Sequence, residues 1–193
     1  MHSTQMENNR ESKLIRSFIA VDVPDNIKSN IVTKHIDIKF VPKDQMHITL
    51  FFLGAISQDK VASVERLLAK FNYKSFKISL RGVSTFNERN PRVLFVKIAN
   101  GADELNEIYN KLRPEIAEEG IKMESRQFTP HLTIARVKGF DRNSAIGKDL
   151  LDFMAKNKNY EFGSFDANFL VMKASVLKNT GAEHHDIYIR QLG

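Results

Sequence analysis

Two short segments of the sequence each place a histidine two residues before a threonine, between apolar residues. They are MHITL, which contains His47 and Thr49, and PHLTI, which contains His131 and Thr133. Because successive side chains of a strand point to opposite faces, each histidine shares a face with its threonine while the apolar neighbours face a core. The repetition predicts a single site built from two histidines and two threonines.

Such a site suits acid–base chemistry at an anionic group. Histidine is the side chain whose ordinary pKa allows it to act as an acid or a base near neutral pH. One imidazole would deprotonate the attacking oxygen of a phosphodiester reaction, and the other would protonate the leaving oxygen. Hydroxyl groups and nearby cations would hold the phosphate oxygens. The residues alone leave open which histidine is the acid.

Other site chemistries fit the sequence less well. A zinc site needs three or four ligands at characteristic spacings, whereas each strand here offers one histidine and no acid in register. The chain has no cysteine, and it contains neither a Gly-x-Ser-x-Gly segment nor a Walker-type phosphate loop. We therefore predict no metal and no cofactor. His184 and His185 are adjacent, and we assign them to a surface turn without a catalytic or metal-binding role.

Composition limits the class of protein. The 193 residues are 42% hydrophobic and 27% charged, which is typical of a folded globular chain. The net charge of +6 favours an anionic partner, although a lysine-rich surface would give the same value. No apolar run approaches the roughly 20 residues of a membrane span, and the N-terminus lacks the apolar region of a secretory signal. We expect a cytoplasmic protein without a membrane partner.

The elements that must position the site follow from hydrophobic periodicity and from turn residues. Residues 1–13 are polar and aperiodic, which predicts a disordered lead, and residues 14–193 are predicted to form one domain. The predicted strands cover residues 16–23, 46–53, 76–83, 93–98, 131–137, 168–177 and 186–192. The predicted helices cover residues 25–34, 57–71, 103–119 and 141–156.

The predicted elements repeat one order in the two halves of the chain. A strand leads to a helix, then to a His-x-Thr strand, a glycine and a second helix. The first series starts at Phe18 and contains His47, and the second starts at Val93 and contains His131. Two related lobes that face each other would bring both His-x-Thr strands to the centre.

The segments around both motifs resemble the 2H phosphoesterase superfamily, whose defining feature is a pair of His-x-Thr motifs. Within it the chain is similar to the 2′-5′ RNA ligase family, also called the RNA 2′,3′-cyclic phosphodiesterases. The resemblance runs from about residue 14 to the C-terminus, in the order expected for that family. It is carried by RSFIAVDVP at 16–24, HITLFFLG at 47–54, PRVLF at 91–95, FTPHLTIAR at 128–136, and SVL at 175–177 followed by GA at 181–182.

The resemblance implies an α+β, bilobal fold in which two antiparallel sheets line a central cleft, with the helices outside and a pseudo-two-fold internal repeat. It implies metal-independent hydrolysis of a 2′,3′-cyclic phosphate to a 2′-phosphomonoester. By motif, His47 would protonate the leaving 3′ oxygen and His131 would activate water. Thr49 and Thr133 would bind the phosphate oxygens. The expected ligand is an RNA with a 2′,3′-cyclic phosphate end or a cyclic nucleotide, and possible RNAs include tRNA halves. We expect the protein to be a monomer.

The family also uses an aromatic residue and an arginine, each five residues after its histidine. Here these are Phe52, which would stack on a base, and Arg136, which would neutralise phosphate. Strict alternation places both on the face opposite the histidines, so they reach the site only if the strands twist or bulge. Core packing is the alternative for Phe52.

Two other functions fit the same site. One is 2′-5′ RNA ligation through the same phosphate chemistry, and the other is a non-catalytic nucleotide- or RNA-binding module. Binding alone does not require a matched acid and base, so the intact pair favours the hydrolase. The chain departs from the family in two places, the short segment between Pro24 and His47, and the pair His184 and His185, where the family often has an aromatic residue.

Overall fold

The computed structural model of the protein describes residues 14–31, 36–179 and 181–193. Within these residues nine strands form a single antiparallel sheet. Its first strands are β1 (Ile15–Asp22), β2 (Lys39–Phe40), β3 (His47–Ile56), β4 (Phe76–Thr85) and β5 (Val93–Asn100). The later strands are β6 (His131–Arg136), β7 (Glu161–Ala167), β8 (Phe169–Lys178) and β9 (Gly181–Gln191).

The sheet consists of two four-stranded halves that meet edge to edge. One half has the order β3-β1-β8-β9 and the other has the order β7-β4-β5-β6. The halves join through one antiparallel pair, Ile48 on β3 with Leu132 on β6. The short strand β2 continues the pairing along β6 beyond this point. This arrangement confirms the predicted α+β fold, and the two predicted antiparallel sheets are the two halves of one continuous sheet.

Four helices accompany the sheet in the described residues, namely α1 (Asp25–Ser29), α2 (Gln58–Lys70), α3 (Ala102–Glu118) and α4 (Ala145–Lys156). Helix α2 packs on β1 and β9, while α3 packs on β3 and β5 and so bridges the two halves. The ring of Phe51 on β3 stacks on Tyr109 of α3 with centroids 4.7 Å apart. No helix in the described part of the chain is both long and apolar enough to cross a membrane.

The apolar stripes explain why these helices form where they do. In α3, the residues Leu105, Ile108, Leu112 and Ile116 are all buried, as expected for one face of an amphipathic helix. Helix α2 starts after Ser57, whose hydroxyl accepts a hydrogen bond from the backbone N–H of Lys60.

Several predicted elements differ from the structure. The fourth helix starts at Ala145 rather than at 141, because the carbonyl of Asp141 accepts the N–H of Ser144 in a turn and Ser144 caps the helix. Strand β9 begins at Gly181 rather than at 186. The strands β2 and β7 were not predicted, and in β7 the alternation of apolar residues is interrupted at Gly163, where φ is 117°. The first helix ends at Ser29 rather than at 34, and Asn30 is its C-cap. The predicted lead at 1–13 lies outside the described residues.

Gly101 provides a test of the connection between β5 and α3. Its φ is 89°, and a Cβ would lie 2.7 Å from the Lys77 carbonyl oxygen, which already accepts a hydrogen bond from the Asn100 side chain. We expect Gly101→Ala to lower the free energy of unfolding by at least about 2 kcal/mol in urea denaturation. Gly139→Ala is the control, since φ is 63° there but nothing lies within 4 Å, and should lose only about 1 kcal/mol. Equal losses would contradict the steric explanation.

Candidate functional site

The two His-x-Thr segments lie on neighbouring central strands. His47 is the first residue of β3 and His131 is the first residue of β6. The antiparallel pair Ile48–Leu132 joins the two segments at their middle residues. In this register His47 lies opposite Thr133, and Thr49 lies opposite His131. Since the four side chains share one face, each histidine has the threonine of the other strand as its cross-strand neighbour.

A cleft of about 660 Å³ covers this face of the two strands. It is lined by all six residues that the sequence analysis proposes, and the two histidines and two threonines are only partly buried. Four cations line it as well, and among the described lining residues Glu124 is the one carboxylate. The cleft therefore favours an anionic ligand. The lining cations are Arg16, Lys39, Arg136 and Lys138.

A β-bulge brings Phe52 to the face of the cleft. On the paired strands, Ala20 faces Thr49 and Ile19 faces Phe51, so Leu50 is an extra residue on β3. The extra residue reverses the alternation, which places Phe52 on the same face as Thr49 instead of the opposite one. The Phe52 side chain is 54% exposed, so it lies on the cleft rather than in the core.

A second bulge does the same for Arg136 on β6. Phe95 faces Thr133 and Leu94 faces Ala135, which leaves Ile134 as the extra residue. Arg136 therefore returns to the face of Thr133 and lines the cleft. The objection from strict alternation does not apply to either strand, because each contains one bulge between its threonine and the residue in question.

Aromatic rings and backbone groups fix the orientation of both catalytic candidates. The Phe18 ring stacks on His47 with centroids 4.7 Å apart and an interplanar angle of 26°. Phe95 contacts His131 with centroids 5.2 Å apart. The Nδ1 of His131 lies 2.7 Å from the carbonyl oxygen of Thr129. Because a carbonyl only accepts, Nδ1 carries the hydrogen in the neutral ring, and Nε2 keeps its lone pair.

Both imidazoles are held in the neutral form. The pKa of His47 is lowered from 6.5 to about 4, chiefly by burial and next by the neighbouring His184, while a hydrogen bond to the backbone of Gln45 acts in the opposite direction. Burial also lowers the pKa of His131, the cation of Arg136 adds to this effect, and the hydrogen bond to Thr129 opposes it. At neutral pH the free protein therefore presents two uncharged imidazoles.

The prediction that His184 and His185 form a surface turn is wrong. Both lie in strand β9, where His184 faces Ser175 of β8 and His185 faces Ala174. His184 lines the cleft, whereas His185 is exposed. The turn residues at 179–181 could have predicted that the strand starts at Gly181. Alternation along that strand would then have placed one of the two histidines on the cleft face and the other on the opposite face.

A family model described as the AKAP7 2′5′ RNA ligase-like domain matches residues 18–185 of the chain. An RNA 2′,3′-cyclic phosphodiesterase of Methanocaldococcus jannaschii is 34% identical over 173 residues, covering 86% of this chain and 95% of that protein. Another protein of that name from Archaeoglobus fulgidus is 29% identical over 182 residues, covering 91% and 99%. The crystal structure of Escherichia coli LigT in apo form has the same fold, with a TM-score of 0.75, 22% identity, and coverage of 94% of this chain and 99% of LigT.

The lowered pKa of His47 predicts how stability depends on pH. Since the folded pKa is about 4 and the ordinary value is 6.5, protonation favours the unfolded chain. This contribution to stability is fully present above about pH 6.5, is lost as the pH falls towards 4, and amounts to about 3 kcal/mol. Urea unfolding between pH 4 and 8 should give a steeper pH dependence for the wild type than for His47→Gln. Identical slopes would contradict the lowered pKa.

Proposed function

We propose that the chain hydrolyses the 2′,3′-cyclic phosphate of an RNA end to a 2′-phosphomonoester without a metal. The premise is that the chain belongs to the 2H phosphoesterase superfamily and, within it, to the 2′-5′ RNA ligase family. The observation that carries the proposal is the quartet of His47, Thr49, His131 and Thr133 on one face of two adjacent strands. The names of the two similar archaeal proteins support the same substrate class.

In this proposal His131 is the base. Its Nδ1–H donates to the carbonyl of Thr129, so the lone pair of Nε2 is available to take a proton from water. The lowered pKa of His131 keeps that nitrogen unprotonated at neutral pH. As the proton moves to Nε2, the water oxygen forms a bond to phosphorus.

His47 is the acid of the same step. It donates a proton to the 3′ oxygen as the bond between phosphorus and that oxygen breaks, and the phosphate stays on the 2′ oxygen. Because the pKa of His47 is about 4 in the free protein, His47 acquires this proton when an anionic phosphate enters the cleft, since a nearby negative charge raises the pKa of an imidazole. Afterwards the two histidines exchange their protons with solvent.

The remaining residues of the cleft hold the ligand. The hydroxyl groups of Thr49 and Thr133 donate to the phosphate oxygens, and the guanidinium of Arg136 neutralises their charge. The half-exposed ring of Phe52 offers a stacking surface to the terminal base. We further propose tRNA halves as RNA substrates, a monomeric state and a cytoplasmic location, on the strength of the composition and the family membership.

Hydrolysis is tested with a nucleoside 2′,3′-cyclic phosphate in the presence of EDTA, with the product identified by phosphorus NMR. We expect the 2′-phosphate, and we expect His47→Gln and His131→Gln each to lower kcat by at least about 100-fold, since each removes one proton-transfer group. His185→Gln is the matched control, because it removes an exposed histidine outside the cleft, and it should keep the wild-type kcat. Circular dichroism checks that each variant is folded.

Several outcomes of this assay would overturn parts of the proposal. Formation of the 3′-phosphate would contradict the assignment of the leaving oxygen. Loss of turnover in EDTA would contradict a reaction without metal. Binding of the nucleotide without any turnover would favour the non-catalytic module, and joining of RNA ends in preference to hydrolysis would favour the ligase.

The role of Phe52 is tested separately with a short RNA that ends in a 2′,3′-cyclic phosphate. Phe52→Ala should raise KM by about tenfold and leave kcat nearly unchanged, because stacking on one base contributes about 1–3 kcal/mol to binding. Phe169→Ala is the control, since Phe169 is exposed to a similar extent, 46% against 54%, but lies outside the cleft. If both variants have the same KM, Phe52 does not bind the base.

A further inference from the structure

Three rings from three different strands meet at one side of the cleft. Phe18 comes from β1, His47 from β3 and His184 from β9. His47 stacks on Phe18, and His184 stands edge-on to both, with centroids 5.3 Å from His47 at 89° and 4.9 Å from Phe18 at 80°. The His47 ring is thus in contact with one ring that is nearly parallel to it and one that is perpendicular.

The environment of His184 disfavours the charged form of its ring. Its Nδ1 atom is buried and has no hydrogen-bond partner among the described residues. A proton on that nitrogen would be a buried donor without an acceptor, which is unfavourable. Burial also lowers the pKa of His184, and the cation of Lys173 adds to the effect.

We propose that His184 is a positioning residue, which holds the imidazole of His47 against Phe18 and limits the two adjacent imidazoles to one positive charge between them. This inference rests on the proposed function, because it assigns His184 a role through His47. The restriction follows from distance, since a second positive charge about 5 Å from the first is strongly disfavoured in a partly buried site.

The charged groups around the pair do not remove this restriction. Lys173 of β8 bonds to Asp22 of β1 at 2.9 Å and to Asp186 of β9 at 2.6 Å. The lysine thereby offsets much of the negative charge of both carboxylates, of which Asp22 acts on His47 and on His184. Asp44, which precedes β3, favours a proton on His184, while His185 of β9 disfavours it.

The experiment compares His184→Phe, which keeps a ring but cannot be protonated, with His184→Ala, which removes the ring. His185→Ala is the control on the same strand. We measure kcat and KM for a nucleoside 2′,3′-cyclic phosphate between pH 5 and 9. We also measure the pKa of the His47 imidazole by NMR titration without substrate. The titration needs no turnover, so this inference and the proposed function fail independently.

We expect His184→Ala to lower kcat by about tenfold with little change in KM, because the His47 ring loses its fixed orientation. His184→Phe should recover most of this loss. It should also raise the pKa of His47 by about one unit or more, since the competing proton site is gone, and move the alkaline limb of the kcat profile to higher pH.

Two results would overturn the inference. One is an unchanged pKa of His47 together with wild-type pH profiles in both His184 variants. The other is that His184→Phe loses as much kcat as His184→Ala while both limbs of its kcat profile stay at the wild-type pH. That result would indicate that His184 contributes only by packing. His185→Ala should match the wild type in every measurement. If it shows the kcat loss or the shift in the His47 pKa expected of the His184 variants, these effects arise from a disturbance of strand β9 and not from His184.

Discussion

The architecture of the cleft depends on a single strand pair. Ile48 and Leu132 join two four-stranded halves, and both side chains are fully buried. Because the pairing is antiparallel and centred on the middle residue of each His-x-Thr segment, it sets each histidine opposite the threonine of the other strand. A shift of one residue in this register would turn the apolar residues outward and the histidines inward. The core and the site are therefore fixed by the same contact.

Two bulges complete the site without disturbing that register. Leu50 on β3 and Ile134 on β6 are the extra residues, and both remain buried. Each bulge allows the strand to continue its core packing while the side chain three residues beyond the threonine returns to the cleft. A symmetric pair of local irregularities thus supplies one aromatic ring and one guanidinium at equivalent positions of the two halves.

The sequence alone predicted those features of the fold and the site that depend on a local pattern of residues. The spacing of His47 and Thr49, repeated at His131 and Thr133, predicted the shared face, and the repeated order of elements predicted two halves that meet. A local pattern does not predict which distant strands pair or in which register. Bulges appear only as a register shift against the neighbouring strand, and the approach of His184 to His47 depends on the β8–β9 register. Strand β7 was missed because its apolar alternation breaks at Gly163.

The charges of the cleft link ligand binding to the protonation of the acid. Arg136, one of the cations that would attract a phosphate, also disfavours a proton on His131, and burial does the same for both histidines. In the free protein the site is thus cationic at its rim and neutral at its centre. On the proposed mechanism, only an anion placed between the imidazoles offsets burial and repulsion, so His47 becomes an acid when the phosphate is bound. The near absence of carboxylates from the described lining is consistent with this, since a carboxylate beside the imidazoles would raise their pKa and favour the protonated form before the ligand arrived.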